Sequence, residues 1–160
     1  AGRPLGEEGS GSDVLSKVLD AGRVGAAAQM LGGAEEAFDR TLQYLKERTQ
    51  FDVPIGSFQA LQHRAAKMFC ELELSKSALL DALTALDEES DDASIAVSVA
   101  KAQLCETFEL VSSESVQMHG GIGMTDEHEI GFYLKRARVL AQTFGDASFH
   151  EDRFAELSGY

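Results

Sequence analysis

Apolar and small residues recur along most of this chain in steps of three, four and seven, the spacing of one face of an α-helix. The pattern first holds from Asp13 to Gln50, at Val24, Ala28, Leu31, Phe38, Leu42 and Leu45. It resumes from Ser57 to about Asp87, at Phe58, Leu61, Ala65, Met68, Leu72, Leu79, Leu83 and Leu86. A third run spans about Ala93 to His119, where Val97, Ala100, Leu104, Phe108, Val111, Ser115 and Met118 define one face. A fourth covers about Glu127 to Thr143, and a short last helix, Phe149 to Leu157, closes the chain. Short connections between long amphipathic segments predict an all-α fold, an antiparallel up-and-down four-helix bundle with a short C-terminal helix.

The breaks between these runs have their own chemistry. Ser12 or Asp13 is the expected N-cap of the first helix. Within it, Gly25, Ala26, Ala27, Ala28, Gly32 and Gly33 are small. They suggest close approach of another helix, with a floppy break at Gly32-Gly33 as the competing reading. The acidic run Asp87-Glu88-Glu89-Ser90-Asp91-Asp92 lacks the central glycine of a calcium loop and reads as a solvated connection. Gly120-Gly121 stops the third helix, and Gly145-Asp146 the fourth. Residues 1–12, rich in Gly, Ser and acid, read as a leader or linker, and 13–160 as the helical domain.

A formal net charge of −13 argues against a nucleic-acid partner, which needs clustered Lys and Arg. No apolar run is long enough for a membrane span and no stretch has signal-peptide organisation, so the expected location is the cytoplasm. Cys70 and Cys105 lie in helical patterns and read as reduced core thiols. His63, His119, His128 and His150 share no ligand spacing with each other or with the cysteines, and no metal site is assigned.

Two segments carry more than punctuation. One is the corner Glu47-Arg48-Thr49-Gln50-Phe51-Asp52-Val53-Pro54-Ile55-Gly56-Ser57-Phe58-Gln59. The residue before Pro54 is pushed out of the α region, so the upstream helix ends by about Val53, and Gly56 and Ser57 offer a flexible joint and a cap for the next helix. The other is Gln117-Met118-His119-Gly120-Gly121-Ile122-Gly123-Met124. Read alone, these are a surface turn with a solvated arginine and a plain helix stop. In this order and separation, however, they resemble two segments of the acyl-CoA dehydrogenase family. These are its Arg-x-x-Phe, Pro-Ile, Phe-Gln corner and its Gln-x-x-Gly-Gly-x-Gly segment, and the similarity covers essentially the whole chain. The leader resembles the end of that family's middle β-domain.

The resemblance implies the family's C-terminal helical domain, with FAD as cofactor and an acyl-CoA thioester as substrate of the complete enzyme. It implies that Arg48, Gln50, Phe51, Ile55, Phe58, Gln59, Gln117, Gly120 and Gly121 touch the ADP half of an FAD held mainly by a neighbouring subunit. The residue types suit a pyrophosphate. A guanidinium holds phosphate oxygens with a planar fork, and glycines let backbone N–H groups come close.

The family's reaction also needs a carboxylate base. The resemblance places it either in the loop after the fourth helix or on the first helix just before an arginine. Here the loop reads Thr143-Phe144-Gly145-Asp146-Ala147-Ser148, and the residue before the matching Arg23 is Gly22. Neither position holds a glutamate, and Asp146 is the nearest carboxylate, with a capping role as its simpler reading. The implied assignment is a base-deficient subunit of a hetero-oligomer. The alternatives are a homo-oligomeric dehydrogenase using Asp146 or another residue, or a helical oligomerisation module without flavin.

Overall fold

The computed structural model describes residues 9–160. Its helices are α1 (Gly11–Glu47), α2 (Gln59–Asp87), α3 (Ala93–His119), α4 (Ile130–Gln142) and α5 (Ala147–Leu157). A small antiparallel hairpin, β1 (Thr49–Gln50) and β2 (Val53–Pro54), joins α1 to α2, and 3-10 turns follow at Ile55–Ser57 and Gly120–Met124. The up-and-down bundle read from the periodicity is the fold that forms. The leader expected over 1–12 falls outside the described residues as far as residue 8, and α1 already includes Gly11 and Ser12.

Helix α3 is the axis. It packs against α1, α2, α4 and α5. All seven residues of its expected face are buried, and Phe108, Leu104, Val97 and Val111 are fully so. The other faces follow the pattern with exceptions. Ala28, Phe58 and Leu83 are exposed, because a helix touching two neighbours buries a stripe that drifts away from any fixed set of steps. Of the two expected core thiols, Cys105 is buried but Cys70 is exposed, on the outer side of α2.

The glycine pair in α1 does not break it. A Cβ on Gly33 would lie 2.7 Å from the Phe108 ring of α3, whereas one on Gly32 would meet nothing within 4 Å. Close helix approach is therefore the correct reading at Gly33, while Gly25, Ala28 and Gly32 face outward. Helix ends depart from expectation by a few residues. Ser10, not Ser12 or Asp13, occupies the N-cap of α1. Ser57 does not cap α2; its Oγ donates to the Pro54 carbonyl (2.7 Å), and Phe58 takes the cap position. Helix α4 starts at Ile130 rather than about Glu127.

A polar knot closes the end of the bundle where α1 begins. Asp20 of α1 accepts from Arg23 (2.7 Å), from Ser94 of α3 (2.6 Å) and from Arg153 of α5 (3.1 Å). Burial alone would raise the Asp20 pKa, but hydrogen bonds from Ser94 and Arg23 and the charge of Arg153 together lower it. The fully buried Lys101 donates to the carbonyls of Leu140 (3.3 Å), Ala141 (3.4 Å) and Gly145 (2.8 Å), neutralising the C-terminal end of α4. His150 is also fully buried and donates through Nε2 to the Phe144 carbonyl (3.1 Å). Burial, then the Lys101, Arg23 and Arg153 charges, push its pKa down to about 4.

His150 thus folds as the neutral ring, while the unfolded chain binds a proton near 6.5. Its contribution is present above that value and is lost as pH falls towards about 4, at roughly 1.4 kcal/mol per unit. Urea unfolding across this range is expected to show that loss in the parent and a flatter profile in His150→Gln. Gly33→Ala is expected to destabilise by about 1–3 kcal/mol through overpacking on Phe108, and Gly32→Ala to gain up to about 1 kcal/mol. The same unfolding measurement separates the two; equal gains would mean that Phe108 yields freely.

Candidate functional site

The corner begins where α1 runs out. The Arg48 N–H still closes on the Tyr44 carbonyl (2.8 Å), but its own backbone is extended. The Arg48 carbonyl then accepts from Ile55 N–H (2.8 Å), and the hairpin between them pairs Thr49 with Pro54 and Gln50 with Val53. A simple turn was expected; the hairpin forms because Phe51 and Asp52 both adopt positive φ, 54° and 64°. Two left-handed residues in succession match the twist of a two-residue hairpin, at a cost to side chains with a Cβ. The result pushes Phe51 into solvent at 85% exposure, edge-on to Phe58 with ring centroids 6.1 Å apart. Ile55 is half-buried against the core and anchors the corner.

The second segment folds back on α3. Gly120 takes φ 65°, ψ −141°, a conformation open only to glycine at little cost, and its N–H returns to the Gln117 carbonyl. A Cβ on Gly123 would lie 2.7 Å from the Val116 carbonyl and 3.0 Å from the His119 Cβ, so the turn rides directly on the last helical turn. In front of Gly120 and Gly121 there is open space.

Tyr44 of α1 joins the two segments. Its ring stacks on His119 at 4.3 Å, and its hydroxyl donates to the His119 carbonyl (3.3 Å). Tyr44 is one turn before Arg48, and His119 lies between Gln117 and Gly120, so both segments come to the same end of the bundle. His128 completes the cluster, 4.5 Å from His119 and 6.2 Å from Tyr44. His119 Nδ1 bonds the Ser115 carbonyl (2.7 Å), which leaves Nε2 buried without a hydrogen-bond partner. Burial lowers the His119 pKa; the Ser115 carbonyl opposes this, and His128 adds to it. Sequence reasoning missed this cluster. The useful signal was the helical spacing of Tyr44 from Arg48, not the spacing of the histidines.

At this end Arg48, Gln50, Gln59 and Gln117 are exposed. None of them makes a side-chain hydrogen bond or ion pair among the described residues. Free planar donors, an exposed aromatic edge and an open Gly-Gly backbone fit a ligand that combines phosphate with flat rings. This is the fit expected for the ADP half of FAD. Among the described residues no group of three or more His, Cys, Asp or Glu is placed to hold a metal. No helix is long and apolar enough to cross a membrane.

The other end of the bundle holds the loop after α4. Phe144 adopts φ 61° and Gly145 φ 107°. Their carbonyls are gripped by His150 and Lys101, and Asp146 Oδ1 accepts from the Phe149 N–H (3.0 Å) as the N-cap of α5. Across from this loop is Gly22 of α1, where a Cβ would lie 3.0 Å from the Phe144 ring. Gly22 and Phe144, separated by most of the sequence, are thus in contact through the phenyl ring. Arg23 beside it is buried and paired to Asp20 (2.7 Å).

Comparison with known proteins bears on the family and the fold. The model of the acyl-CoA dehydrogenase C-terminal domain matches residues 9–157. The acyl-CoA dehydrogenase IpdE2 of Mycolicibacterium smegmatis is 39% identical over 119 residues, 74% of this chain and 36% of that protein. Butyryl-CoA dehydrogenase from Megasphaera elsdenii superposes with a TM-score of 0.90 at 29% identity, over 95% of this chain and 39% of that one. A chain of the ChsE4-ChsE5 complex from Mycobacterium tuberculosis superposes with a TM-score of 0.88 at 30% identity, over 94% of this chain and 41% of that one. The chain spans little more than a third of the length of such relatives. Its fold, its two segments and these matches together place it: the chain belongs to the acyl-CoA dehydrogenase family, as the C-terminal domain.

Proposed function

We propose that this chain is the helical domain of a FAD-dependent acyl-CoA dehydrogenase subunit, that it completes the FAD site of a neighbouring subunit, and that it brings no base of its own. The observation that carries the first part is the set of unengaged groups at one end, Arg48, Gln117 and the open Gly120–Gly121 backbone. Arg48 would bind the pyrophosphate, the glycine N–H groups would approach its oxygens, and Phe51 and Phe58 would wall the flat part of the ligand. When bound, FAD supplies the acceptor for the hydride that leaves the acyl-CoA β carbon. The α proton requires a separate carboxylate within hydrogen-bond reach.

The second part rests on the opposite end. The loop after α4 and Gly22, the two places where the family resemblance implies a base, hold no glutamate, and the Phe144 ring of that loop packs against Gly22. Asp146 is held as a helix cap, so its service as a base is the less supported reading. The subunit then works in an oligomer whose partner supplies the carboxylate. The ChsE4-ChsE5 relative is itself a complex of two differently named chains.

The test uses the full-length protein produced alone and together with candidate dehydrogenase subunits, with flavin absorbance read after gel filtration. Flavin and acyl-CoA oxidation are expected only in the joint complex, and Arg48→Ala is expected to weaken flavin retention there by about tenfold or more, the effect of removing a charge-assisted bond. Flavin and turnover in the lone subunit, abolished by Asp146→Asn, would contradict the base-deficient assignment. Unchanged flavin content in Arg48→Ala would contradict the cofactor role.

A further inference from the structure

We propose that Tyr44, His119 and His128 are positioning residues, a three-ring latch that fixes the Arg48 corner against the Gly120–Gly121 turn and holds only while His119 is neutral. The inference rests on the cofactor reading above and deepens it. Each ring is tied to a backbone that the site needs. The Tyr44 carbonyl receives the Arg48 N–H, and the His119 carbonyl receives the Tyr44 hydroxyl one residue before Gly120. Gly123 packs on the His119 Cβ, so the turn moves with His119. His128 Nδ1 accepts from the Ile130 N–H (3.2 Å), which brings the start of α4 into the same cluster.

Neutrality is built into the contacts. His119 spends its Nδ1–H on the Ser115 carbonyl, and its buried Nε2 has no acceptor to receive a second proton's bond. His128 bonds the Ile130 N–H as an acceptor, which a protonated Nδ1 cannot do. The groups facing the pair are the Tyr44 ring from α1, the Ser115 carbonyl from α3 and the Ile130 N–H from α4. Asp126, Lys135 and Arg138 share a cleft with His128, and Glu129 is engaged by Arg40 of α1. Among the described residues neither imidazole pairs with a carboxylate. A proton on His119 Nε2 would be a buried charge with no acceptor, and the corner would part from the turn. Burial holds the His119 pKa below the ordinary imidazole range, so the latch is closed at neutral pH and opens on acidification.

The experiment takes the flavin-loaded full-length complex from neutral pH downward, with flavin release and thermal midpoint both recorded. The parent is expected to release flavin on acidification, below the ordinary imidazole range. In His119→Phe, which keeps a ring but cannot titrate, the release midpoint is expected to move down by at least about one pH unit. Tyr44→Ala is expected to weaken flavin binding by up to about tenfold at neutral pH, with Tyr44→Phe restoring most of it through the ring alone. Release at the parent midpoint in His119→Phe, or full retention in Tyr44→Ala, would overturn the latch. A complex that holds no flavin at any pH sinks the cofactor reading instead. The thermal midpoint then decides the latch, which is overturned if His119→Phe loses as much on acidification as the parent.

Discussion

The contact between the Phe108 ring and Gly33 sets how α1 lies on α3. Both helices run in the same direction, and the ring can seat only where the facing residue has no side chain. Eleven residues further along each helix, about three turns, come Tyr44 and His119, which stack. The register fixed at mid-bundle is therefore still in force at the end, and it brings the corner after α1 level with the turn after α3. A ring too large for its seat, or a Cβ on Gly33, would shift the two segments apart without touching either.

From that register the bundle acquires two chemically distinct ends. One presents free donors, exposed aromatics and open backbone. The other is closed by buried charge: Asp20 with Arg23 and Arg153, and Lys101 with His150 under the loop after α4. Grips on the Phe144 and Gly145 carbonyls over-determine that loop, which is how Phe144 keeps a left-handed backbone. In the proposed reading the first end serves a neighbour's flavin. At the second end the loop after α4 holds no glutamate, and the Phe144 ring packs against Gly22.

Much of this was legible in the sequence where one helix buries a continuous face. The α3 face came out whole because that helix is surrounded. It was less legible where a helix has two partners and an outer side, as with Ala28, Leu83 and Cys70. The corner was placed correctly between Arg48 and Gln59, but its hairpin was not foreseen, since Phe51-Asp52 lacks the Gly or Asn that signals such a turn. Of the Tyr44, His119 and His128 cluster, only the helical spacing of Tyr44 from Arg48 was legible. Its members are neighbours only after folding, and imidazoles that stack rather than ligate follow no spacing rule. The meeting of Gly22 with Phe144 is of the same kind, with the added hint that a mid-helix glycine often marks where something presses close.

The most direct measurement is an experimental structure of the full-length protein in its flavin-loaded oligomer. The account predicts a dinucleotide bound mainly by a neighbouring subunit, its pyrophosphate against Arg48 and the Gly120–Gly121 backbone, and its ring edges beside Phe51 and Phe58. A structure in which this end of the bundle is covered by polypeptide, with every flavin remote from Arg48, would contradict it.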